Sequence, residues 1–79
     1  MFYTYILFSN VLNKFYSGHT SDIQKRILEH NSGKSKYTRQ SKDWNIIWFS
    51  KLDTKSEAMK LENKIKNRGI KRFFDALGI

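Results

Sequence analysis

The stretch "YTYILF", residues 3–8, and the "FYSG" that answers it at residues 15–18 decide how this chain folds. Phe2 to Phe8 is aromatic or branched on both faces, with Tyr3, Tyr5 and Leu7 on one side by the two-residue period of an extended chain. A strand with two apolar faces belongs in the middle of a sheet. "SNVLNK" then supplies turn formers, and Phe15 to Gly18 reads as a short returning strand, so the two segments form a hairpin that brings Tyr5 near Tyr16.

Working outward, Ser21 and Gln24 stand at capping-box spacing, Asp22 suits the positive end of a helix, and "NSG" at 31–33 stops it. Ile23 and Ile27 mark the buried stripe of this first helix. Arg26 and His30, four residues apart, lie one above the other, so whatever Arg26 faces His30 can face too. "GKSKYTRQSKD", residues 33–43, has no apolar periodicity and reads as a loop rich in cations. "WNIIWFSKL", residues 44–52, is a third strand in which Trp44, Ile46 and Trp48 alternate with Ile47 and Phe49.

Thr54 and Glu57 repeat the capping-box spacing and open a second helix that runs to Gly69, with Ala58, Leu61 and Ile65 as its inward stripe and Glu62 on the border of that stripe. Ile70, Phe73, Phe74 and Leu77 follow the pattern of a short amphipathic helix ending at Gly78. The expected fold is a single α+β domain over residues 1–79: a small three-stranded antiparallel or mixed sheet flanked by helices, in the order β-β-α-β-α-α.

Composition bounds what such a domain does. Its 79 residues include no cysteine, which removes disulfides and thiolate zinc sites, and its two histidines are too few for a closed zinc site. No apolar run approaches the ~20 residues of a membrane span, and "MFYTYILF" lacks the features of a secretory leader, so a cytoplasmic setting without membrane attachment is expected. Fifteen Lys and Arg against seven Asp and Glu leave a net charge of +8, which favours a polyanion, nucleic acid first among them.

Each candidate residue has a plain explanation when taken alone. Strand tyrosines usually pack, an arginine on a helix is usually solvated, Glu62 can pair with Lys66 one turn on, and His30 can complement a helix end. The joint pattern is more specific. "YTY" at 3–5, "YSG" at 16–18, "GHTSDIQKRI" at 18–27 and the segment from Ser35 to Lys66 together resemble the GIY-YIG nuclease family, in particular its short stand-alone branch related to the excinuclease nuclease domain.

That resemblance implies a divalent-metal-dependent endonuclease that hydrolyses phosphodiester bonds in DNA, with a preference for structure over sequence and a place in DNA repair or recombination. It assigns Tyr5, Tyr16, Arg26 and Glu62 to catalysis and Mg²⁺ or Mn²⁺ to Glu62; His30, one turn beyond Arg26, is expected to join the catalytic set by contacting phosphate or assisting proton transfer. Tyr5 or Tyr16 would be the base or the group that positions the water, with Tyr5 the first choice. Arg26 would fork onto the scissile phosphate, as Lys cannot. Positive charge nearby would favour a phenolate over a phenol whose ordinary pKa is about 10.

Contacts to nucleic acid are expected from Gly18, where the backbone can come close, from His19, and from the loop residues Lys34, Lys36, Tyr37, Thr38, Arg39 and Lys42, which combine backbone tracking with an aromatic for stacking. RNA is the alternative polymer, and a protein partner for targeting is compatible with this reading. The rival function is a non-catalytic nucleic-acid-binding module of the same fold.

Overall fold

A computed structural model describes residues 1–78. Its elements are β1 (Phe2–Ser9), β2 (Lys14–Thr20), α1 (Ile23–Asn31), β3 (Asn45–Leu52), α2 (Lys55–Arg68) and α3 (Ile70–Leu77), the order expected. The strands form one antiparallel sheet in the order β2-β1-β3, so β1 is central. No helix among the described residues is long and apolar enough to cross a membrane.

Because β1 is covered on both faces, it divides the interior into two cores. On one face Tyr5 and Leu7 pack with Trp44 and with Leu12, Tyr16, Ile23, Ile27 and Ile46. On the other, Ile6 packs with Ile65 and Phe73, walled by Trp48, Leu61, Ile70 and Phe74 from β3, α2 and α3. Thr4 is fully buried on this second face and its hydroxyl donates to the Ala58 carbonyl at 2.7 Å, which fixes α2 against β1. Glu62 lies one turn farther along the same helix.

Four local expectations are corrected. The hairpin spans residues 10–13 with Asn13 at φ 52°, and β2 extends to both sides of Phe15–Gly18; Tyr5 faces Gly18 and Tyr16 pairs with Leu7, so the two tyrosines are close, as expected, but as diagonal neighbours. The cap of α1 is Asp22, not Ser21: its carboxylate accepts from the Lys25 amide at 3.1 Å. Trp44 precedes β3 and is buried, its ring NH donating to the Thr38 carbonyl at 2.7 Å. A bulge lies opposite Ile6/Leu7, where Ile6 pairs with Trp48 but Leu7 with Ile46. The extra residue turns Ile47 toward solvent and sends Trp48 and Ile46 to opposite faces.

The caps of α2 and α3 agree with expectation. Thr54 accepts from the Glu57 amide, and Gly69 and Gly78 take positive φ where the helices end. The loop over residues 33–43 is irregular but tied down. Asp43 accepts from Ser9 Oγ, from Ser41 Oγ and from the Val11 amide, stitching the loop to the hairpin. These bonds, led by Ser41, hold its carboxyl down to about 2.

Candidate active site

The chemistry-bearing residues gather around the β2 edge, in two groups on the two faces of the sheet. The first group is an enclosed polar chain. Tyr5 is 2% exposed and its hydroxyl lies 2.8 Å from His30 Nε2; His30 is fully buried, and its Nδ1 lies 2.6 Å from Thr38 Oγ1. A neutral imidazole has one donor and one acceptor, so one of the two hydroxyls donates to the ring and the other accepts from it. Tyr16 closes the group, its ring centroid 5.0 Å from that of His30 and 6.5 Å from that of Trp44.

Gly18 makes the first group possible. A Cβ on it would stand 2.6 Å from the Tyr5 hydroxyl and 2.9 Å from Tyr5 Cζ, so the tyrosine ring lies where any larger residue would put its side chain. Gly18 is buried against this ring and is corrected from a nucleic-acid contact to a spacer.

Burial decides the electrostatics of this chain. It pushes the Tyr5 phenol up to about 12, outweighing the favourable effect of the nearby Arg26 guanidinium. It also lowers His30 to about 4, with help from the Arg26 charge, so the imidazole is neutral at ordinary pH. The expected lowering of the Tyr5 pKa by positive charge is thus reversed: two units above 10 weigh against the phenolate by ~3 kcal/mol. His30 is corrected as well. Enclosed, neutral and bonded at both nitrogens, it is not a phosphate contact. Thr38 is fully buried beneath the loop and cannot meet nucleic acid.

The second group is half open. Glu62 Oε1 accepts from His19 Nδ1 at 2.5 Å, and Oε2 accepts from Lys66 Nζ, the i+4 pair anticipated from spacing. Burial raises the Glu62 pKa, but the bonds from Lys66 and His19 outweigh it and hold the carboxyl below its usual range; Lys66, bonded to Glu62, is raised. His19 therefore serves the carboxylate, where sequence suggested a nucleic-acid contact. Glu62 is only 12% exposed, but His19 and Lys66 beside it are 28% and 52% exposed.

Arg26 lies beside the Tyr5 hydroxyl and near Tyr16. Its best-aligned bond runs to Glu29 Oε1 at 3.1 Å, and its side chain remains 34% exposed. Burial opposes its charge, but the Tyr5 hydroxyl and the Glu29 carboxylate more than compensate, and its pKa is raised. Lys66 reaches round the β2 edge to line the same cleft as Tyr16. Lys34, Lys36, Tyr37, Arg39 and Lys42 are exposed on the loop. The sequence reading did not identify Lys14, Trp44 and Lys66 as walls beside Tyr16; for Lys66 the signal was its spacing from Glu62.

Among the described residues no group of three or more His, Asp or Glu could hold a metal by itself. This donor set does not suit Zn²⁺, which takes three or four protein ligands, but one carboxylate suits Mg²⁺, which keeps waters and phosphate oxygens around it.

Residues 1–72 match the model of the GIY-YIG catalytic domain. A UPF0213 protein of Listeria innocua is 42% identical over 55 residues, 68% of this chain and 61% of that protein. A UPF0213 protein of Halobacterium salinarum is 43% identical over 53 residues, 66% of this chain and 69% of its own. The matches span about three fifths of the length of the Listeria relatives. The solution NMR structure of the UPF0213 protein BH0048 from Bacillus halodurans is 31% identical, with a TM-score of 0.59 over 99% of this chain and 84% of that one.

Proposed function

This chain belongs to the GIY-YIG nuclease family, and from that premise we propose that it hydrolyses phosphodiester bonds in DNA with a divalent metal held by Glu62. The observation that supports the proposal is a chain of neighbours: Arg26 lies beside the Tyr5 hydroxyl and near Tyr16, Tyr16 and Lys66 line one open cleft, and Lys66 is bonded to Glu62.

The roles divide by exposure. Tyr16 is half-buried and faces the cleft, so its hydroxyl is the one that positions the attacking water and, after giving up its own proton to solvent, receives the water's proton as phenolate. Arg26, charged at every accessible pH, donates its fork to the non-bridging phosphate oxygens, where negative charge grows in the transition state. Glu62 would hold Mg²⁺ or Mn²⁺, which supplies Lewis-acid stabilisation of charge on the phosphate and the leaving oxygen. His19 and Lys66 orient the carboxylate in the meantime. Tyr5, His30 and Thr38 fix the floor on which Tyr16 and Arg26 rest. We place the substrate preference in DNA structure and not base sequence, because the surface beside the site is basic loop and not an added base-reading helix.

A second reading has one observation in its favour: both Glu62 oxygens already have partners, as in a structural ion pair. That reading makes the chain a binding module without turnover. A cleavage screen over flapped, branched, linear and single-stranded DNA, with RNA alongside, separates the two. The nuclease reading expects cleavage that needs Mg²⁺ or Mn²⁺ and is lost with chelator, in Arg26→Ala and in Glu62→Gln, with the fold retained by circular dichroism. Salt-sensitive binding without cleavage of any substrate establishes the module instead.

A further inference from the structure

Beside Tyr16 the surface opens into a cleft of about 340 Å³, lined by Lys14, Tyr16, Tyr37, Gln40, Trp44 and Lys66 among others. Its size falls within the range of small-molecule sites, roughly 300–1,000 Å³. Four aromatic side chains, Phe15, Tyr16, Tyr37 and Trp44, wall it, lysines stand at its rim, and one carboxamide offers both a donor and an acceptor.

Tyr37 is the informative member, because it is 74% exposed and so has no packing reason to be aromatic. Yet the loop that carries it is not loose. The next residue, Thr38, is fully buried, joined to His30 through its hydroxyl and to the Trp44 ring NH through its carbonyl. An anchored backbone thus presents an exposed ring to the cleft that ends on Tyr16.

We infer that this cleft receives one unstacked nucleobase next to the phosphate held at Tyr16 and Arg26, so that the preferred substrate offers an unpaired nucleotide there, as in a flap, a bulge or a single strand. The inference rests on the nuclease reading for the position of the phosphate. Aromatic stacking tolerates any base, because every base has a π face. For a base in an intact duplex, that gain is set against the loss of its pairing and stacking; an already unpaired base keeps most of it. Lys14 and Lys66 flank the cleft where the adjoining phosphates would pass, and Gln40 can meet the edge of the base.

The test uses the full chain carrying Glu62→Gln and three labelled DNA hairpins: fully paired, with a one-nucleotide bulge, and with a single-stranded flap. Binding is read by fluorescence anisotropy. The bulged and flapped hairpins should bind about ten-fold more tightly than the paired one. Tyr37→Ala should erase that preference and Tyr37→Phe, which keeps the ring, should restore it, with the fold of each checked by circular dichroism. Equal affinity for all three hairpins, absence of binding, or a preference indifferent to Tyr37→Ala overturns the inference; a cleft built for a peptide would give one of these. Failure of wild type to cleave while the Tyr37-dependent preference persists counts against the nuclease reading and leaves the base site standing. Cleavage without preference does the reverse.

Discussion

The two tyrosines that define the hairpin lie on the same face of the sheet and live in different worlds. Tyr5 is sealed, bonded to His30 and raised to about 12. Tyr16, paired opposite Leu7, lies along the wall of an open cleft. The same side chain serves as scaffold in one place and is available for chemistry in the other. What separates the roles is burial, which costs the charged form more than nearby cations return.

The largest effect expected from breaking this division lies on the open side. Glu62→Gln should lower metal-dependent cleavage by about 10³-fold, measured in single turnover, because the transition state loses several kcal/mol of metal stabilisation. Its melting temperature should change little, since the amide keeps one oxygen to accept from His19 or Lys66 and both of those partners reach solvent.

On the closed side the expected effect is on stability. Gly18→Ala forces a Cβ onto a ring that has nowhere to go, and equilibrium denaturation should register a loss of about 1–3 kcal/mol. Thr38→Val, which leaves His30 Nδ1 without its partner, should cost about 1–3 kcal/mol by the same measurement.

Acid should dissect the two anchors of the closed side. The His30 pKa is depressed by folding, so its contribution is whole above about pH 6.5 and is lost as pH falls through about 4, a span worth roughly 3 kcal/mol. Asp43 is also depressed, so its contribution is whole above about 3.8 and is lost as pH falls through about 2. Denaturant melts across pH should show the first limb vanish in His30→Gln and the second weaken in Asp43→Asn.

Much of this architecture was legible because it is written in short-range chemistry. The double apolar face of Phe2–Phe8 placed β1 in the centre, Thr54 and the glycines at 69 and 78 marked helix ends, and Glu62 stood out as a carboxylate on the border of an apolar stripe. The bulge beside Ile47 was not legible, since an inserted residue changes the register but leaves the local two-residue alternation looking regular. Nor was the burial of His30 and Thr38. Both sit among polar or charged neighbours in sequence, and it is bonds to other elements, from Tyr5 to His30 and from His30 and Trp44 to Thr38, that hold them inside. Choosing between the tyrosines needed the same long-range information, because burial belongs to the folded neighbourhood and not to the motif.

Single-turnover cleavage of a flapped DNA by Tyr5→Phe and Tyr16→Phe, with thermal melts of both, tests this division most directly. The account predicts that Tyr16→Phe cuts about 10²-fold more slowly at unchanged stability, while Tyr5→Phe loses stability and keeps most of its rate when folded. A Tyr16→Phe enzyme as fast as wild type, beside a fully stable Tyr5→Phe enzyme that does not cut, would contradict it.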